Sequence, residues 1–115
     1  MTTQEKLQVV CKALSAKKAE DIKVVDIQGM TDIADFFVVC SGRSAPQVKA
    51  IYENLDEEMS KAGFEPKRSE GISEGRWIAV DYSDIIVHVF HKEAREVYAL
   101  DTLWNKGDNV TTYND

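Results

Sequence analysis

The chain has 115 residues, 43% of them hydrophobic and 30% charged, with 14 basic against 20 acidic side chains and a formal net charge of −6. That length gives one domain with a single core, and the composition excludes a disordered chain. The acidic balance argues against direct binding to a nucleic-acid backbone, which needs basic surface, and suits a partner that is itself basic. No stretch approaches the ~20 apolar residues of a membrane helix. Residues 1–6 carry neither an apolar signal core nor an Arg-rich transit pattern, so a cytoplasmic protein is expected.

The first element reads as an amphipathic helix, with Leu7, Val10, Cys11 and Leu14 at i, i+3, i+4 and i+7. Thr2 and Glu5 have capping-box spacing at its start, and Lys17 and Lys18 suit its end. Residues 22–27 read as a strand, followed by a turn at Gly29. Residues 36–40 form a continuous apolar, β-branched run, the pattern of a strand buried on both faces. Ser44 can cap a second helix, with Pro46 in its first turn and Gln47 at the box position. Val48, Ile51, Tyr52, Leu55 and Met59 are its apolar stripe, and Gly63 fits its stop. A short strand is expected within 64–69, then a glycine-punctuated loop over 70–75.

Residues 76–82 and 85–90 are two strong strands separated only by Ser83 and Asp84, which predicts a tight hairpin. A short helix is expected over 92–99, and the polar segment beyond Lys106 is expected to fray. Together these predict an α/β domain at 1–107, a mixed sheet of about five strands with flanking helices, and a polar tail at 108–115.

The two-residue turn fixes the hairpin register: Tyr82 opposes Ile85, Asp81 opposes Ile86, Ala79 opposes His88 and Trp77 opposes Phe90. One face then carries Ile78, Val80, Tyr82, Ile85, Val87 and Val89, and should meet the core. The other carries Trp77, Ala79, Asp81, Ile86, His88 and Phe90. Aromatics beside a carboxylate and an imidazole are the composition of a binding hot spot if the face is exposed. If a helix covers it, they are core residues. Both outcomes stand open at this point.

Few residues suggest catalysis. Ser41-Gly42 lies between a strand and a helix, yet there is no GxGxxG and no GxxxxGK[ST], and glycine at such a turn is commonly geometry. A nucleotidyltransferase would need clustered carboxylates to hold metal and triphosphate, and the following helix offers none. Cys11 and Cys40 are far apart, with no CxxC pair for zinc, and read as buried small hydrophobes. Neither an enzyme nor a metal or other cofactor is expected.

The chain resembles the Iojap family of ribosomal silencing factors. The resemblance rests on Thr31-Asp32-Ile33-Ala34-Asp35-Phe36-Phe37-Val38-Val39-Cys40-Ser41-Gly42, on Gln47-Val48 and on Glu70-Gly71. It continues through Trp77-Ile78-Ala79-Val80-Asp81-Tyr82, Ile86-Val87-His88-Val89-Phe90, Arg95-Glu96-Val97-Tyr98 and Leu103-Trp104, in that order. It covers about residues 5–105. It implies a nucleotidyltransferase-like fold without the catalytic carboxylates. It also implies binding to the large ribosomal subunit through its protein conventionally numbered fourteen, which blocks joining of the small subunit and represses translation. Members are often homodimers when free, and organellar relatives assist large-subunit assembly. Carried over by position, the contact residues are Trp77, Asp81, Tyr82, His88, Phe90, Arg95 and Tyr98. Tyr82 is the one that the hairpin register places on the core face instead. A nucleotidyltransferase-like enzyme or an assembly factor is the alternative reading, and saturable binding of ATP or GTP with magnesium would favour the enzyme.

Overall fold

A computed structural model describes residues 2–114. Its elements are α1 (Thr3–Ala16), β1 (Glu20–Asp26), β2 (Phe36–Gly42), α2 (Ala45–Lys61), β3 (Arg68–Glu70), β4 (Trp77–Asp81), β5 (Ile85–His91), α3 (Lys92–Tyr98), α4 (Leu100–Leu103) and β6 (Val110–Thr112).

One mixed sheet runs β3-β4-β5-β2-β1-β6. Every residue of β2 is buried, as its unbroken apolar run requires. It lies parallel to β5 and antiparallel to β1. The hairpin register is the one its turn dictates, with Trp77 opposite Phe90, Ala79 opposite His88 and Asp81 opposite Ile86.

Helices α1 and α2 cover one face. Their stripes of Leu7, Val10, Leu14, Val48, Ile51, Leu55 and Met59 close on Val38, Ile78, Val80, Tyr82, Ile85, Val87 and Val89. Cys11 and Cys40 belong to this core, and burial pushes their thiols up to about 11 and about 12, which keeps them protonated. Both helix starts follow from their caps. Thr2 accepts from the Glu5 N–H while Glu5 accepts from the Thr2 N–H. Ser44 accepts from the Gln47 N–H, but the Gln47 side chain accepts from Arg43 N–H at 2.7 Å rather than closing a box on Ser44.

Two expectations change. The sheet has six strands, not five, and the sixth comes from the polar segment expected to fray. Val110–Thr112 pairs antiparallel with β1. The reason is one long-range bond set in a local turn: Asn109 Nδ2 donates to the carbonyl of Asp26, 83 residues away, and to that of nearby Trp104, both at 2.9 Å, and its Oδ1 accepts from Lys106 N–H. One buried amide thus seats the strand despite its polar surroundings. β1 also begins earlier than expected, at Glu20, with a bulge between Glu20 and Lys23 around the positive φ of Asp21.

The hairpin turn is tied to α1. Lys6 Nζ reaches Asp84 Oδ1 at 2.6 Å and the Tyr82 carbonyl at 3.0 Å, and Thr3 Oγ1 donates to Asp84 Oδ2 at 3.0 Å. Burial raises the Asp84 pKa, but the hydrogen bonds from Lys6 and Thr3 and the Lys6 charge outweigh it and hold the carboxyl below its ordinary range. A depressed folded pKa gives stability that is present at neutral pH and lost as pH falls through it. Asp84→Ala is expected to cost about 1–2 kcal/mol near pH 7, with a smaller gap from wild type near pH 3, by urea denaturation. An equal gap at both pH values would remove the charge from this account.

Candidate functional site: the aromatic sheet face

On the face away from α1 and α2, a second apolar cluster joins Val25, Ile27, Ala34, Phe37, Val39, Phe90 and Ala94. Helices α3 and α4 cover it only in part. Ala99 turns the chain between them in the left-handed region, φ 47°, and Leu100 and Trp104 pack back on the cluster.

The aromatic rings form one connected series. Tyr98 meets Trp77 at 4.5 Å between centroids, and Trp77 stacks on Phe90 at 5.0 Å. His88 lies 5.8 Å from Trp77 and meets Phe37 edge-on at 5.0 Å, and Phe37 meets Trp104 edge-on at 5.4 Å. Such offset and edge contacts complement ring quadrupoles and stiffen the surface. The series is exposed at its rim: Tyr98 is 44% accessible and Trp77 half-buried. Phe90 and His88 lie beneath them, at 0% and 7%. The hairpin face is therefore neither fully open nor fully covered, which resolves the alternatives left by the sequence.

His88 is held neutral. Burial pushes its pKa down to about 4, and its Nδ1 accepts the Trp77 indole N–H at 3.0 Å. Asp81 ends the same face of β4, half-exposed, its Oδ1 accepting from the Ser83 N–H at 2.8 Å.

Two residues suggested by the family resemblance lie elsewhere. Tyr82 stays in register, its N–H donating to the Ile85 carbonyl, so its side chain points into the α1–α2 core at 3% exposure. Its hydroxyl has no hydrogen-bond partner among the described residues, and burial raises its pKa. Register, not resemblance, decides where Tyr82 sits. Arg95 is also buried. Its guanidinium donates to the Glu20 carbonyl and to Ser41 Oγ, and pairs with Asp21 and Asp101 at 3.5 Å each. It fastens α3 and α4 to the ends of β1 and β2.

Sequence reasoning missed Trp104 as part of this face; Val97 of α3 and Leu103 of α4 are exposed, at 71% and 72%. The apolar triplet Leu100, Leu103, Trp104 was the available signal. At the far edge Met30 is partly exposed, its sulfur 3.8 Å from the Asn109 amide that also holds the Trp104 carbonyl.

The Ser41-Gly42 turn has a packing reason. A Cβ on Gly42 would meet Val48 Cγ2 at 3.1 Å and Ile51 Cδ1 at 3.4 Å, so glycine lets α2 lie close on β2. Ser41 is engaged by Arg95. Among the described residues no three His, Cys, Asp or Glu side chains stand together as a metal site.

Fold and site define a small mixed α/β domain with a helix-packed face and a part-covered aromatic face. The whole chain, residues 1–115, matches the family described as ribosomal silencing factor during starvation. It is 42% identical over 110 residues to the ribosomal silencing factor RsfS of Halalkalibacterium halodurans, covering 96% of this chain and 94% of that one. It is 39% identical over 104 residues to RsfS of Bacillus subtilis, covering 90% and 88%. A crystal structure from Chromobacterium violaceum superposes with a TM-score of 0.88 at 32% identity, over 95% of this chain and 92% of that one. The chain belongs to the ribosomal silencing factor family.

Proposed function

We propose that this protein docks its aromatic sheet face on the large ribosomal subunit, through the subunit protein conventionally numbered fourteen. Docking sterically blocks the small subunit and so represses translation. The observation that carries this reading is the connected ring series, with Trp77 and Tyr98 at its accessible rim and buried Phe90 and His88 supporting them. Rigid aromatics of this kind supply contact area at little entropic cost and make hot spots. Asp81 on the same face and the net charge of −6 suit a basic partner. No catalytic step is assigned. Family resemblance also supports a homodimer as the free form, and the polar start of the chain fits a cytoplasmic location.

Trp77→Ala is expected to keep the wild-type circular dichroism and to weaken co-sedimentation with isolated large subunits by at least about 30-fold. A folded variant that co-sediments like wild type would remove Trp77 from the docking surface. In a gradient the wild type should travel with free large subunits and not with joined ribosomes.

A further inference from the structure

A tryptophan buried at a protein interface usually needs a hydrogen-bond acceptor for its indole N–H, from its own chain or from the partner. Here that proton is already used. Trp77 Nε1 donates to His88 Nδ1 at 3.0 Å, across the β4–β5 ladder where Ala79 and His88 are register partners. An indole nitrogen can only donate, so His88 Nδ1 must carry a lone pair and the imidazole proton sits on Nε2. Nε2 is fully buried and has no hydrogen-bond partner among the described residues. The ring cannot easily turn to exchange its nitrogens, because Phe37 stands edge-on to it at 5.0 Å and Phe90 stacks on it at 6.2 Å. The protein thus keeps one buried donor unsatisfied and uses the other nitrogen to hold Trp77.

We infer that His88 is a positioning residue: it captures the Trp77 N–H inside the protein, so that Trp77 offers a partner only apolar ring surface in one fixed orientation. This rests on the reading that the aromatic face docks. It defines the partner's chemistry at that point: an apolar patch, aliphatic or aromatic, with no acceptor required opposite the indole nitrogen. It also assigns His88 no direct contact with the partner.

Two measurements test it. In the free ¹⁵N-labelled full chain near pH 7, the His88 nitrogens should report the Nε2–H tautomer, and the Trp77 indole proton should exchange slowly with solvent. An Nδ1–H tautomer, a doubly protonated ring or a freely exchanging indole would overturn the inference, and this readout needs no variant to fold. Binding to isolated large subunits is then compared for Trp77→Phe, His88→Phe and the double variant. Trp77→Phe should lose no more than about threefold, since the ring remains and the N–H is not needed. His88→Phe should lose about tenfold, because it leaves the indole N–H without its acceptor and frees the ring. The double variant should bind like Trp77→Phe alone, because no N–H is left to hold. Additive losses, or a loss for Trp77→Phe as large as for Trp77→Ala, would overturn the inference. Wild-type binding by Trp77→Ala would instead sink the docking reading beneath it.

Discussion

Gly71→Ala is expected to lower stability by about 2–4 kcal/mol and to disturb Trp77, although Gly71 itself lies on an exposed loop. Its φ is +82°, a region that side-chain-bearing residues rarely adopt, and a Cβ built there would sit 1.9 Å from the Trp77 carbonyl oxygen. Neither atom is the free end of a flexible side chain. Either the loop lifts away or the first residue of β4 moves, and that residue carries the indole at the accessible rim. Gly29→Ala separates the two contributions. Gly29 has a similar φ of +79° with nothing within 4 Å of the added carbon, so it should cost only about 1 kcal/mol. Thermal melts read the stability, and intrinsic fluorescence reads the tryptophan environment. Equal losses for the two variants would mean that the clash with Trp77 is relieved without cost.

The second large effect is acid destabilisation through His88. Its ordinary pKa of 6.5 falls to about 4 in the folded chain, because burial penalises the imidazolium. Between those values the unfolded chain binds a proton that the folded chain does not, so unfolding becomes more favourable as pH falls. Stability is whole above about pH 6.5 and declines by about 3 kcal/mol in all as pH approaches 4. The Asp84 contribution is lost lower, so the two are separable by pH. Urea denaturation of wild type and His88→Phe across this range gives the test. The wild type should lose stability steeply between about pH 6.5 and 4, and the variant should not. Parallel curves would show that His88 is not the group that titrates.

Much of this structure is legible in the chain because its signals are local. Apolar spacing places α1 and α2, an unbroken apolar run marks β2 as central, and a two-residue turn fixes every partner in the β4–β5 ladder. The same register divides Trp77, His88 and Phe90 from Tyr82, which resemblance alone did not. What escapes is what depends on distant contacts. Three residues of Val110–Thr112 carry too little pattern to declare a strand, and Asn109 seats them by bonding to Asp26 and Trp104. Arg95 has the spelling of a surface cation on a helix, and only the folded chain brings Glu20, Asp21 and Ser41 to it. The burial of Phe90 and His88 depends on where α3 and α4 fall, and an elbow at Ala99 decides that.

The place of β6 bears on how the molecule is made. Its partners on β1 lie 85 to 89 positions earlier, so the outer edge of β1 stays unpaired until residues 110–112 have been made. An open strand edge is a template for foreign pairing, and here it waits beside the sheet's most buried strand. β6 therefore works as a closing seam: a nascent chain has both helix-packed and aromatic clusters nearly complete before it, and a paired β1 edge only after it.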